Sequence, residues 1–98
     1  MNIKELTSEQ LSDAAGILKA IAHPVRISIL NLLDENKKLT VTQLHTKLGI
    51  EQSTTSHHLG ILKDKGVLQS ERLGKNTYYY LKHNSLAHVI DCVSKCTV

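Results

Sequence analysis

The chain has no tryptophan, no phenylalanine, a single proline and only two cysteines in 98 residues. Without the two bulkiest aromatic types, a core must be assembled from Leu, Ile, Val and the three tyrosines. Two cysteines, Cys92 and Cys96, do not make a disulfide framework. No apolar run approaches the roughly 18 residues that a membrane span requires. The start of the chain lacks the basic and then apolar pattern of a secretory signal. These absences lead to the expectation of a cytoplasmic chain with no membrane partner. Also missing are a glycine-rich phosphate loop, a nucleophile elbow and a helix with paired metal ligands, and the six histidines are scattered. We therefore expect neither an enzyme nor a bound cofactor.

What is present suits one domain spanning 1–98. Of its residues, 41% are hydrophobic and 21% charged, and the net charge is +3, an ordinary globular balance that admits an acidic partner. A domain of this size buries only about 60–65% of its unfolded surface, so pairing would add stability.

Along the chain, Thr7 and Gln10 have capping-box spacing, and Leu11, Ala14, Ala15 and Leu18 follow at helical intervals. A second helix opens at HPVRISILNLL with Pro24 as its first residue and runs to about Asp34. A third is read in LTVTQLHTKLGI, with Thr40 and Gln43 as a second capping box and Gly49 as a left-handed stop. After a turn of three or four residues, QSTTSHHLGILKDKG forms a fourth helix, 52–65, closed by Gly66; so tight a pair is a helix-turn-helix. VLQSERL and NTYYYL read as a β-hairpin whose turn uses Gly74 and Asn76. A last helix, about 84–96, places Leu86, Val89, Ile90 and Val93 on one stripe. The expected fold is mainly α with a small β-hairpin: a winged helix-turn-helix in the order α-α-α-α-β-β-α.

The fourth helix is the most informative segment. Thr55, Leu59 and Leu62 fall on an inward side, whereas Ser53, Ser56, His57, Gly60 and Lys63 fall opposite. Short hydrogen-bonding side chains reach base edges and phosphates without holding a helix off the groove, unlike the Glu/Lys mixture of a solvated face. Gln52 at the helix start can pair with adenine or donate to phosphate. Gly60 costs about 1 kcal/mol relative to Ala in a helix, which points to a close approach there. In the hairpin, Arg72 and Lys75 flank the tip and can reach phosphate or the minor groove. Double-stranded DNA is the expected partner.

The segment QSTTSHHLGILKDKGVLQSERLGKNTYYYL resembles the recognition helix and wing of ArsR-type (arsenic-repressor-like) regulators. Their Ser-x-x-Ser-x-His-Leu helix falls on Ser53, Ser56, His58 and Leu59, and their wing pattern on Arg72, Gly74, Lys75, Tyr79 and Leu81. The HPVRISIL segment is also typical, and the resemblance extends over about residues 10–95. It implies a bacterial homodimer held by the first and last helices, about 8–21 and 84–96, through Leu11, Ala14, Leu18, Leu86, Val89, Ile90 and Val93. Such a dimer reads a partly palindromic operator and represses until an effector binds. The implied DNA contacts in the helix are Gln52, Ser53, Ser56 and His57; with Thr54, Lys63, Arg72 and Lys75 they complete the candidate surface. His58 is expected to face the helix-turn-helix packing instead.

The family's metal sites are not reproduced. Thr40 and Thr42 stand where many relatives carry thiolates, and hydroxyls are poor ligands for soft ions. The positions matching the zinc site of the last helix are His83, Ser85 and Cys96, with a fourth falling beyond Val98, too few for a closed tetrahedral set. No metal is expected, and the effector is not defined by the sequence. Cys92 and Cys96 follow His88 at four-residue intervals, but the three point in different directions around the helix. They leave open ordinary packing or a thiol sensor. His45 replaces the partner cysteine of oxidant-sensing relatives. Two other classes also stay open: a winged-helix module for protein–protein contact, and a small metal-binding or redox-responsive protein using Cys92 and Cys96.

Overall fold

A computed structural model of the chain describes residues 5–96. Helix α1 (Ser8–Ile21) begins at Thr7. The Thr7 hydroxyl accepts from the Gln10 amide at 3.1 Å, and Gln10 Oε1 accepts from the Thr7 amide at 2.9 Å. Two orphan donors are thereby satisfied. Helix α2 (Pro24–Leu32) is capped by His23, whose Nδ1 accepts from the Val25 amide at 3.1 Å. Strand β1 (Leu39–Thr40), helices α3 (Val41–Leu48) and α4 (Gln52–Asp64), strands β2 (Leu68–Leu73) and β3 (Asn76–Leu81) and helix α5 (Ser85–Cys96) follow. The arrangement is a winged helix-turn-helix.

Four boundaries differ from the sequence expectation. Helix α2 stops at Leu32, not near Asp34, because Leu33 is its C-cap and the chain turns through Glu35 and Asn36, both at positive φ (61° and 62°). Helix α4 ends at Asp64, with Lys65 as its C-cap, and α5 starts at Ser85. Asn76 is not a turn residue: it pairs with Leu73, and Gly74 (φ 63°) with Lys75 makes the reversal. Strand β1 was not expected at all. It adds a third strand to the hairpin, in the order β1-β3-β2, through Leu39 opposite Tyr79 and Thr40 opposite Tyr78. Two residues are too few to carry an alternating pattern, so only their distant partner defines them.

The core is aliphatic. Ile29, Leu30, Leu33, Leu44, Leu59, Leu62 and Val67 are fully buried, and Leu68 and Leu81 nearly so. Tyr79 packs against this cluster from the sheet. Helix α5 lays Leu86, Ala87 and Ile90 on it, chiefly beside α2. The radius of gyration is 14.1 Å, above the roughly 13 Å of a compact domain of 100 residues.

Candidate nucleic-acid interface

Helix α4 owes its pose to the turn before it. Gly49 adopts φ 69° and its amide donates to the His45 carbonyl at 2.9 Å, as does that of Ile50 at 3.2 Å. The His45 ring closes the same turn, its Nδ1 lying 3.2 Å from the Ile50 carbonyl, which requires the proton on Nδ1. Only three residues, 49–51, separate α3 from α4, so the angle between them is set by this hydrogen-bonded corner.

The two sides of α4 divide as the helical wheel predicts. Thr55, Leu59 and Leu62 are fully buried, and the Thr55 hydroxyl donates to the Glu51 carbonyl at 3.0 Å, so its burial is satisfied. Gln52, Ser53, Thr54, Ser56, His57, Gly60 and Lys63 are all exposed. A Cβ built on Gly60 would meet nothing within 4 Å; no contact inside the protomer demands a glycine there. No side chain caps the start of α4, which leaves its first N–H groups without a side-chain partner where the helix dipole favours an anion.

The hairpin carries exposed cations beside this face. Lys75 lies in the reversal, and Arg72 Nε donates to the Gly74 carbonyl at 3.3 Å. Glu71 is the only carboxylate in the hairpin. Lys38, from the loop before β1, meets it at 2.8 Å and also lies 4.7 Å over the Tyr80 ring. The Glu71 carboxylate, by hydrogen bonding and by its charge, holds the Lys38 ammonium above its ordinary range. With its one acid matched, the hairpin presents Arg72 and Lys75 as its outward charge. Lys63 lines a groove of about 350 Å³ between α4 and the sheet together with Gly66, Gln69, Tyr80 and Lys82. Sequence reasoning missed Lys38 and Lys82; both flank strands whose pairing the sequence does not reveal.

On α1 and α5, Leu11 (45%), Leu18 (56%), Val89 (40%) and Val93 (54%) remain exposed. Ala14 is exposed beside them on α1, whereas Leu86 and Ile90 of the anticipated stripe lie half-buried on the protomer's own core. Leu6, Ala14 and Ile17 line a shallow hollow of about 270 Å³ on α1.

Among the described residues no group of three or more His, Cys, Asp or Glu could hold a metal ion. The Thr40 hydroxyl instead caps α3, accepting from the Gln43 amide at 3.1 Å. Cys92 and Cys96 are both free and exposed on α5. Lys95, the basic residue in the last turn of α5, pairs with Asp91 at 3.1 Å. No described helix is long and apolar enough to cross a membrane.

One further cluster lies behind α4. His58, in the middle of the helix, is 7% exposed and its Nδ1 accepts from Arg26 Nε at 3.1 Å, as a residue of the helix packing should. The rings of His23 and His57 lie 4.6 Å and 5.7 Å from that of His58. The spacing of His23 and Arg26 was visible in the HPVR segment, but not its partner across the fold.

Residues 23–70, from the cap of α2 into β2, match the family model for bacterial regulatory proteins of the arsR family. The uncharacterized HTH-type transcriptional regulator MJ1325 of Methanocaldococcus jannaschii is 36% identical over 87 residues, 89% of this chain and 98% of that protein. Transcriptional repressor PagR of Bacillus anthracis is 40% identical over 80 residues, covering 82% of this chain and 80% of that protein. The PagR crystal structure superposes with a TM-score of 0.80 at 37% identity, over 89% of this chain and 99% of that one. The homodimeric winged helix-turn-helix DNA-binding domain of Mb0332 from Mycobacterium bovis gives 0.81 at 26% identity, over 99% of this chain and 89% of that one. These are regulators rather than enzymes. Sequence, fold and relatives agree: the chain belongs to the ArsR family of bacterial regulatory proteins.

Proposed function

We propose that the chain is a single winged-helix domain that acts in the cytoplasm as a homodimeric transcriptional repressor. It inserts α4 into the major groove of a partly palindromic operator and rests the hairpin tip on the flanking backbone. The observation that carries this reading is the outward face of α4: Gln52, Ser53, Thr54, Ser56 and His57 are all exposed, short or planar hydrogen-bonding side chains, suited to base edges. Lys63, Arg72 and Lys75 add cations at its edges, suited to phosphate positioning. The exposed Leu11, Leu18, Val89 and Val93 supply an apolar surface for pairing through α1 and α5, with Ala14 between them and Leu86 and Ile90 at its margin. Two copies then offer two recognition helices, as a palindrome requires. The repressor activity of PagR and the dimeric state of the Mb0332 domain support the same assignment.

The test is selection from a pool of randomised duplexes, followed by fluorescence anisotropy on the recovered sequence across a salt series. A partly palindromic sequence with half-sites about one helical turn, or a multiple of it, apart is the expected product. The affinity should fall steeply with salt. Recovery of no preferred sequence, or equal binding to every duplex, would sink the proposal.

A further inference from the structure

We propose that the Arg26–His58 hydrogen bond holds the recognition helix to α1 and α2 in the pose that the preceding turn sets, and that its need for an uncharged imidazole makes operator binding acid-labile. The inference rests on the DNA-binding reading above and extends it to residues that do not touch DNA.

The geometry makes one guanidinium a tie among three helices. Arg26 stands in the first turn of α2; its Nε donates to His58 Nδ1 of α4 at 3.1 Å, and its Nη1 donates to the Ala20 carbonyl of α1 at 2.9 Å. Arginine has donors only, so Nδ1 of His58 must be unprotonated and the ring neutral. His58 lies next to His57 and two residues from Ser56, both on the outward face. A shift at His58 therefore moves the reading side chains directly.

Every neighbour opposes a charge on His58. Burial lowers its pKa most, followed by the effects of His23, Arg26 and His57. His23 and Arg26 approach from the start of α2 and His57 from α4 itself. Helix α1 brings Lys19 to the groove beside Arg26, which Lys65 from the end of α4 also lines. Helix α3 and strand β2, the other elements packed on α4, add no charged group to those acting on the ring, and no carboxylate is among them. Once protonated, the ring offers Arg26 a donor and a like charge in place of an acceptor. The bond then breaks, and α4 loses its tie to α1 and α2. Acid in general adds positive charge to the protein and so strengthens attraction to DNA. A loss of affinity on acidification thus runs against the background electrostatics and is diagnostic.

The experiment measures affinity for the selected duplex at fixed salt, at about pH 7.5 and about pH 5.5, on either side of the ordinary imidazole range. Wild type should lose affinity severalfold, up to the roughly tenfold that one unit of differential protonation allows. His58→Asn keeps an acceptor near the Nδ1 position but cannot titrate, so its loss should stay below about threefold on the same scale. Arg26→Gln keeps a donor but removes the cation, and should shift the onset of the loss to higher pH. An equal loss in wild type and His58→Asn, or none in wild type, overturns the proposal. In parallel, NMR of the free wild-type protein follows the His58 imidazole nitrogens and the α4 amides through the same titration. Amides of α4 moving in step with His58 support the positioning role, and silent amides overturn it. Should selection recover no sequence, the DNA reading has failed, while this titration still decides whether the state of His58 sets the pose of α4.

Discussion

Replacing both Val89 and Val93 with Asp should turn dimers into monomers while leaving each protomer folded. The two side chains keep 40% and 54% of their surface exposed in the protomer. About half of the roughly 1.5–3 kcal/mol available from burying a valine is therefore still to be gained at an interface, or about 1 kcal/mol each. In a two-fold dimer each contact occurs twice, so four side chains contribute about 4 kcal/mol, equivalent to about a thousandfold in the dissociation constant. Aspartate forfeits that and adds the desolvation of carboxylates near their own symmetry copies. The protomer should tolerate the change, because Leu86, Ala87 and Ile90 on α5 make the contacts with the core. Sedimentation velocity at micromolar concentration should show wild type at twice the chain mass and the variant at 10.9 kDa, with an unaltered far-UV circular dichroism spectrum. A variant that still sediments as a dimer, or a wild type that is already monomeric, refutes the reasoning.

Substituting Ser56 or His57 by Ala should cost about 1–3 kcal/mol of operator affinity and relax discrimination among bases, whereas Lys75→Ala should weaken all duplexes alike and lower the salt slope by about one unit. Equal, sequence-blind losses in all three, read by anisotropy on matched and scrambled duplexes, would mark simple charge binding. Operator affinity should be the same with chelator and with zinc, since Thr40 is engaged as a helix cap and among the described residues no group of three or more His, Cys, Asp or Glu could hold a metal ion; a tenfold or greater loss on adding zinc contradicts this. Folding stability should also depend on pH through His58. Its folded pKa lies below the ordinary value of 6.5, so the unfolded chain takes up the proton first as pH falls. The stabilising contribution is complete above about pH 6.5 and is lost as pH falls through the lowered folded value. Urea melts of wild type should shift to lower midpoints on acidification more than those of His58→Asn, and parallel shifts count against it.

Most of the architecture was legible because its signals are local. Thr7 with Gln10 and Thr40 with Gln43 announce helix starts through contacts three residues apart, and Gly49 and Gly74 mark positions where φ is positive. The outward face of α4 was equally readable, because the helical repeat alone separates Ser56 and His57 from Thr55 and Leu59. What stayed hidden depends on partners far along the chain. Leu39 and Thr40 are a strand only because Tyr79 and Tyr78 lie beside them. Arg26 reads as an ordinary charged residue of an amphipathic helix until His58, on another helix, is placed against it. The stripe on α5 was found, but periodicity does not say which of its members the protomer keeps for itself; Leu86 and Ile90 turn to the core and Val89 and Val93 away from it.

Thr40 belongs to two elements at once. Its backbone pairs with Tyr78 on the central strand of the sheet, and its hydroxyl holds the first turn of α3. The hairpin arm and the helix-turn-helix are consequently joined like the two legs of a caliper, with this residue as the pivot. The backbone pairing that fixes β1 on the sheet and the hydrogen bond that starts α3 thus share this one residue. A substitution at position 40 therefore reaches both the pairing of β1 on the sheet and the first turn of α3 at once.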